Sequence, residues 1–217
     1  VESPTTTRTD RTTLEERIIR NFEDLGRRAE PGVHFNRATQ SINIRGLDRD
    51  RVQTAVDGIR IPWLNDAVRG VSGGLDSIDF QSLSAIDIVR GAHSSRSGSG
   101  ALGGSVRLYT LNPEDLLHGD ARFGSLLKAD HDSADRSNGL NAALAGRFND
   151  TFWLIQAGLR KGHELETQGH TGGYGRLRTR ALPADNDQHA LLFKLHQYLE
   201  GGHRLGLTAE HFRREKE

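Results

Sequence analysis

The feature that most constrains this chain is an alternation of apolar and polar side chains, with a period of two residues, that recurs after Ala121. Such alternation is typical of a β-strand with one apolar and one polar face. The apolar positions of five successive segments are Phe123, Leu127 and Ala129; Leu140, Ala142 and Leu144; Trp153, Ile155 and Leu159; Leu191, Phe193 and Leu195; and Leu205, Leu207 and Ala209. We therefore predict five antiparallel strands between residues 118 and 217.

The connections between these segments alternate in length. Asn149-Asp150 and Gly201-Gly202 are tight turns, whereas 132–139 is of medium length and 162–188 is long. Short turns at one end of a sheet and long loops at the other are typical of an outer-membrane β-barrel, whose strands are apolar toward lipid. A soluble antiparallel meander with one solvated face has the same period of two, so the pattern leaves both folds open.

Composition excludes several other classes. The 217 residues include 29 basic and 29 acidic side chains, so the chain lacks the net positive field with which proteins attract nucleic acid. There is no cysteine, which excludes disulfides and thiolate chemistry. No apolar run is long enough for a transmembrane helix. The first residue is Val1 and not Met, from which we expect that an upstream segment has been removed.

Before Pro113 the pattern changes repeatedly between helical and extended stretches. We predict a flexible arm over 1–11 and then a helix of about three turns, which begins at the capping box Thr13-Leu14-Glu15-Glu16 and ends before Pro31. Strand candidates follow at 42–44, 52–56, 86–89 and 106–110. Together these elements predict a small mixed α/β domain over 12–117.

The sequence contains no arrangement of residues typical of catalysis. Gly98-Ser99-Gly100-Ala101-Leu102-Gly103 fits the dinucleotide-binding fingerprint, but that fingerprint requires a helix directly after the turn, and the alternation over 106–110 predicts a strand. A P-loop, a Ser-His-Asp order and a His-x-x-x-His pair are all missing from the sequence. We therefore predict that the protein is not an enzyme and that it has no intrinsic metal or cofactor.

Histidine is unevenly distributed along the chain. Eight of the ten histidines follow Pro113, and His163 and His170 lie in the long connection together with Tyr174. Imidazole and phenolate are common ligands of haem iron, so contact of this loop with haem is chemically reasonable. The alternative for each of these residues is an exposed polar side chain without a ligand.

Several motifs of the first half occur in the order found in one family. They are Asp24-Leu25 with Pro31-Gly32-Val33, Ile44-Arg45-Gly46, Val56-Asp57-Gly58-Ile59, Ile86-Asp87-Ile88-Val89-Arg90-Gly91 and the glycine-rich 98–104, followed by Thr110 and Pro113. Together they resemble the plug domain of a TonB-dependent outer-membrane receptor. Asn112-Pro113-Glu114-Asp115-Leu116-Leu117 and the form of the glycine-rich motif further resemble the haem and haemoglobin receptor branch.

This resemblance implies an α/β plug domain followed by strands of an antiparallel transmembrane β-barrel of about 22 strands, of which the chain would be a fragment. It implies a bacterial outer-membrane location and active uptake of haem as the transported ligand, possibly from a haemoprotein such as haemoglobin. The implied partners are the TonB energy-coupling protein, haem or a haemoprotein, and outer-membrane lipid. A ferric-siderophore receptor of the same fold is one alternative, and a soluble α/β binding module with a β-meander is another.

The resemblance also implies roles for individual residues. Ligand contact in the apical plug loops falls on Trp63, Asn65, Asp66, Arg69 and His93. Ligand contact in the long extracellular loop falls on His163, His170 and Tyr174. Arg45 and Arg90 resemble plug arginines that pair with barrel glutamates, and those glutamates are expected beyond Glu217, since a guanidinium fork suits a carboxylate.

Overall fold

The structure is a computed structural model, and it describes residues 6–36, 39–66, 71–91, 100–164, 166–173 and 175–216. The chain divides into two compact units, Val1–Leu111 and Asn112–Glu217. This division falls a few residues before the expected boundary at residue 117, because Asn112 and Glu114 are hydrogen bonded to a strand of the second unit. Within the described ranges no helix is long and apolar enough to cross a membrane.

In its described residues the first unit contains two short helices and nine short strands. In chain order they are β1 (Thr6–Asp10), α1 (Arg11–Glu16), α2 (Phe22–Arg28), β2 (Val33–Asn36), β3 (Ser41–Ile44), β4 (Val52–Val56), β5 (Ile59–Ile61), β6 (Leu64–Asp66), β7 (Val71–Gly73), β8 (Leu83–Arg90) and β9 (Gly104–Thr110). Five strands form one sheet in the order β1-β8-β9-β4-β5, in which only the β4 and β9 pair is parallel. β2 pairs with β3, and β6 with β7, in antiparallel register. The mixed α/β domain is therefore confirmed.

The predicted single helix is wrong, because the chain forms two helices with a break between them. Ile18 has a positive φ of 51°, which no α-helix contains. Asn21 then starts α2 as its N-cap, since its side chain accepts a hydrogen bond from the backbone amide of Asp24 at 2.8 Å. Leu14 and Leu25 are both buried, so each helix contributes separately to the core.

The predicted flexible arm is wrong for Thr6–Asp10, which form β1. This strand pairs in antiparallel register with β8 at the edge of the five-stranded sheet, from Thr6 opposite Val89 to Asp10 opposite Ala85. The alternation of apolar and polar residues did not predict β1, because the Thr- and Arg-rich sequence of this strand contains no apolar side chain. Residues 1–5 lie outside the described residues.

The core of the first unit lies between α2 and the central strands β8 and β9. Its fully buried members include Leu25, Ile44, Ile86, Val106 and Leu108. All four strand candidates of this half are confirmed as β3, β4, β8 and β9.

The start of β9 tests the dinucleotide-binding alternative. Gly104 begins a strand and not a helix, so that alternative is wrong. A glycine is needed here for packing, because a Cβ at Gly104 would lie 2.2 Å from the carbonyl oxygen of Val89 and its φ is +141°.

The second unit is an antiparallel sheet of five strands in sequence order. They are β10 (Phe123–Asp132), β11 (Ser137–Phe148), β12 (Thr151–Gly162), β13 (Asn186–Leu199) and β14 (His203–Lys216). The five predicted strands are thus confirmed. Two residues join β11 to β12, three join β13 to β14, and the long connection 163–185 joins β12 to β13.

The two faces of this sheet have the polarity of a barrel wall and not of a soluble sheet. Ile155 and Leu159 on one face of β12 are 46% and 52% exposed, whereas Lys194 and His196 on the opposite face of β13 are only 3% and 4% exposed. Apolar side chains outward and polar side chains inward are the arrangement that lipid requires. A soluble meander has the opposite arrangement, so this observation favours the barrel.

We expect an arginine on the apolar face to destabilise the barrel. The substitution Ile155→Arg in the full-length receptor would place a charge in hydrocarbon and is expected to lower the free energy of unfolding by about 2–4 kcal/mol. Ile155→Met is the control, because it keeps an apolar side chain of similar volume. The measurement is a guanidinium titration of the receptor in lipid vesicles, and an Ile155→Arg variant as stable as the control would contradict the assignment of this face to lipid.

Candidate functional site

A buried carboxylate connects three segments of the first unit. Glu30 accepts hydrogen bonds from the hydroxyls of Thr7 at 2.7 Å and Thr9 at 2.8 Å, and from the guanidinium of Arg90 at 2.7 Å. Arg90 also donates to the Thr7 hydroxyl at 3.0 Å. Glu30 and its partners Thr7, Thr9 and Arg90 are called the Glu30 cluster below. Because Thr7 and Thr9 lie on β1, the cluster holds the first described strand of the chain onto the domain.

The two arginines expected to pair with barrel glutamates differ in their surroundings. Arg90 has an ion-pair partner within its own unit, Glu30, which the sequence did not indicate. Arg45 is exposed and forms, with Gly46, a two-residue turn in which both residues have positive φ, 52° and 85°. The pairing of Arg45 and Arg90 with barrel glutamates stays a prediction.

The turn at Asp57 and Gly58 is fixed by the last residue of β9. The Asp57 carboxylate accepts hydrogen bonds from both the backbone amide and the hydroxyl of Thr110. Asp57 and Gly58 both have positive φ, which suits a tight hairpin between β4 and β5. These residues therefore have a structural role.

The apical loop is described in part. The Trp63 indole donates to the carbonyl of Thr39 at 3.3 Å, and the guanidinium of Arg49 lies 5.7 Å from the centre of its ring. Of the other candidates in the plug loops, Asn65 and Asp66 lie in β6. Arg69 and His93 lie outside the described residues. The half-exposed face of Trp63 is thus the best-defined part of this candidate site.

A second polar cluster lies on the inner face of the second unit. The Lys194 ammonium donates to the side-chain oxygen of Asn112 at 2.9 Å. His196 Nδ1 lies 2.8 and 3.0 Å from the two carboxylate oxygens of Glu114, and the Tyr198 hydroxyl donates to the same carboxylate at 2.9 Å. We call these five residues the Glu114 cluster. They fasten the segment that precedes the barrel strands to β13.

The pKa of Glu114 reflects these contacts. Burial raises the pKa of its carboxyl, but the hydrogen bonds from His196, from its own backbone amide and from Tyr198 outweigh burial and hold the pKa below its usual value. The sequence signal for this cluster was the placement of Lys194, His196 and Tyr198 opposite the apolar face of β13. No sequence pattern indicated Glu114 as their partner.

Further polar pairs line the inner face above this cluster. Arg160 of β12 reaches Asp130 of β10 across Gly139, where a Cβ would lie 2.4 Å from the Asp130 carboxylate. Deeper in the sheet, the Gln156 amide donates to the Asn141 side chain at 2.9 Å, and both residues are buried. A glycine in the middle strand therefore permits an ion pair between its two neighbours.

The long connection carries the remaining candidates. His163 Nδ1 lies 2.7 Å from a carboxylate oxygen of Asp185, at the base of the loop where the two strands end. His170 lies further along the loop and is exposed, and Tyr174 lies outside the described residues. Among the residues that the structure describes, no group of three His, Asp or Glu side chains is arranged to hold a metal ion.

We expect loss of the Glu30 carboxylate to release β1. In Glu30→Gln the partly buried guanidinium of Arg90 loses its ion-pair partner, so the domain is expected to lose about 3 kcal/mol of stability. The measurement is hydrogen exchange of the β1 amides in the full-length receptor, where protection is expected to fall by about 100-fold. Glu16→Gln, an exposed glutamate at the end of α1, is the control, and unchanged protection of β1 in Glu30→Gln would contradict the role of the cluster.

The lowered pKa of Glu114 predicts a pH-dependent stabilisation. Because the folded-state pKa lies below the unfolded value of about 4.3, the contribution is present above that pH and is lost as the pH falls through the folded-state pKa. We therefore expect Glu114→Gln to melt at a lower temperature than the wild type at neutral pH. The difference should narrow as the pH falls below the unfolded value and close once the pH lies below the folded-state pKa.

Thermal melts of the full-length receptor in detergent, recorded between neutral and acidic pH, measure this difference. The control is Glu200→Gln, in the exposed turn before β14. A melting difference for Glu114→Gln that stayed constant with pH would show that the carboxylate charge does not stabilise the segment.

Comparison with known sequences identifies the first unit. Residues 1–105 match the family model described as the TonB-dependent receptor plug domain. Hemoglobin-binding protein A of Haemophilus influenzae is 30% identical over 215 residues, which cover 91% of this chain and 21% of that protein. Transferrin-binding protein A of Neisseria meningitidis serogroup B is 28% identical over 172 residues, which cover 74% of this chain and 19% of that protein. The chain thus spans about a fifth of the length of these curated relatives.

Comparison with solved structures covers both units. The FrpB iron transporter of Neisseria meningitidis matches 97% of this chain with a TM-score of 0.80 at 20% identity, over 32% of its own length. The hemophore receptor HasR of Serratia marcescens, in complex with its hemophore and heme, matches 98% with a TM-score of 0.79 at 22% identity, also over 32% of its length. At these identities the likeness shows the fold. The chain therefore belongs to the TonB-dependent receptors of the bacterial outer membrane, and consists of their plug domain followed by antiparallel strands of the barrel.

Proposed function

We propose that the full-length receptor imports haem across the outer membrane and takes it from a haemoprotein such as haemoglobin. Three observations support this proposal: the motifs shared with the haem receptor branch, the name of the Haemophilus influenzae relative, and the haem-bound state of the structural neighbour HasR. The proposal includes the TonB energy-coupling protein as the partner that drives transport. It includes no catalytic step.

The single observation that carries the proposal is the His163 and Asp185 pair. A histidine that binds a metal commonly donates a hydrogen bond from its other ring nitrogen to a carboxylate, and this bond fixes the ring and raises its basicity. A carboxylate oxygen of Asp185 lies 2.7 Å from Nδ1 of His163, so Nε2 is the ring nitrogen that would bind iron. Both side chains are largely exposed at the long-loop end of the sheet, so a ligand arriving from outside the cell reaches them first.

The plug offers a second set of contacts in the proposal. The half-exposed indole of Trp63 provides an aromatic face against which a porphyrin ring can stack. Asn65, Asp66, Arg69 and His93 are proposed as polar contacts on the same loops, and His170 and Tyr174 as further contacts on the long loop.

A second candidate cargo is iron without haem. Transferrin-binding protein A is similar to 74% of this chain, and this similarity favours a receptor that removes iron from a protein. A ferric siderophore is a further cargo for the same fold. In both cases the pair of His163 and Asp185 has no haem iron to bind, so a haem titration separates these cargoes from haem.

The experiment is a titration of the full-length receptor in detergent with hemin, followed by the Soret absorbance. We expect saturable binding with a shifted Soret band, because a histidine ligand changes the haem spectrum. His163→Ala should weaken hemin binding by about 10-fold or more, in line with the loss of one metal ligand or its carboxylate support. Asp185→Asn should weaken it less, since the imidazole itself remains.

His203→Ala serves as the control, because His203 is exposed at the tight-turn end of the sheet. Hemin binding that is unchanged in His163→Ala would remove this histidine from the haem site. A wild-type receptor that binds a ferric siderophore or iron-loaded transferrin, but does not bind hemin, would contradict haem as the cargo.

A further inference from the structure

We propose that a cleft between the β10–β11 turn and the long connection 163–185 binds a carboxylate of the cargo, with Arg180 and His170 as its hydrogen-bond donors. The cleft has a volume of about 290 Å³, and Arg136, Glu164 and Glu166 form its other wall. This inference rests on the proposed function, because it assumes that the receptor captures a haem-bearing cargo at this end of the sheet.

The base of the cleft is held by hydrogen bonds between the two connections. The backbone amides of His163 and Glu166 donate to the carbonyls of Asp135 and Ala134 at 2.9 and 2.8 Å. The Glu164 carboxylate, in addition, accepts from the guanidinium of Arg136. The long connection is therefore fastened to the neighbouring turn and does not extend freely from the strands.

The rim of the cleft is held by a second arginine. The Arg178 guanidinium donates to the carbonyls of Gly173, Arg180 and Ala181 at 2.7 to 2.8 Å, so it fixes the backbone at Arg180 and Ala181 and ties it to Gly173. The backbone amide of Arg180 also donates to the carbonyl of Thr171 at 3.1 Å. A preorganised backbone reduces the entropy that a ligand must overcome when it binds.

The charges of the cleft are unevenly paired. Arg136 has two carboxylates close by, Glu164 at 3.3 Å and Glu166 at 3.6 Å. The side chains of Arg180 and His170, which line the same cleft, make no hydrogen bond or ion pair within the part of the chain that the structure describes. Both carboxylates of the cleft thus pair with Arg136, whereas Arg180 has no ion-pair partner among the described residues.

A carboxylate is the chemical group that this arrangement fits. The guanidinium fork of arginine matches a carboxylate with two parallel hydrogen bonds, and an imidazole N–H adds a third donor. A haem-bearing cargo presents carboxylates from two sources, the propionates of the porphyrin and the acidic side chains of the protein that carries it. Both sources present the same chemistry to Arg180.

The test compares charge and geometry at one position in the full-length receptor. The variants are Arg180→Gln, which removes the charge, and Arg180→Lys, which keeps the charge but loses the fork. Arg176→Gln is the matched control, because Arg176 is exposed in the same loop but does not line the cleft. Binding of haemoglobin is measured by surface plasmon resonance and binding of free hemin by the Soret band.

We expect Arg180→Gln to weaken binding by about 10-fold, Arg180→Lys to have an intermediate effect and Arg176→Gln to change binding by less than about two-fold. A loss for both probes assigns the carboxylate to haem, and a loss for haemoglobin alone assigns it to the protein. Wild-type affinity of Arg180→Gln for both probes would overturn the inference and leave the proposed function standing. If the wild-type receptor binds neither probe, the proposed function fails and this inference fails with it.

Discussion

Backbone amides and polar side chains inside a membrane must find partners within the protein, because hydrocarbon offers none. The sheet of β10–β14 follows this constraint in both respects. Its strands pair continuously from β10 to β14, and its apolar side chains lie on the exposed face. The inner face holds buried Lys194 and His196, each bonded to a residue of the preceding segment.

Each unit has one carboxylate that fastens a neighbouring segment of the chain. In the first unit Glu30 accepts hydrogen bonds from the hydroxyls of Thr7 and Thr9 and so holds β1 on the sheet. In the second unit Glu114 is hydrogen bonded to His196 and Tyr198, so the segment before the barrel strands is held on β13.

The sequence predicted elements that repeat locally and missed contacts between distant residues. The barrel strands and the four plug strands followed from a period of two, which needs no knowledge of the neighbours. β1 was missed because Thr7 and Thr9 gain their partner from Glu30, and the break at Ile18 was missed because helical spacing continues through it. The partner of His196 is Glu114, 82 residues away, and that of His163 is Asp185, 22 residues away. The second pair follows from the register of β12 with β13, and the first from the packing of the segment around Glu114 on β13.

We propose that this chain forms the plug and part of the barrel wall of a receptor that imports haem. The most direct measurement is uptake of ⁵⁵Fe-labelled hemin by iron-starved bacteria that lack their own haem receptors and produce the full-length protein. We predict accumulation of label inside the cell that requires both the receptor and an intact TonB protein. Uptake that was absent with hemin, but present with a ferric siderophore or iron-loaded transferrin, would contradict haem as the cargo.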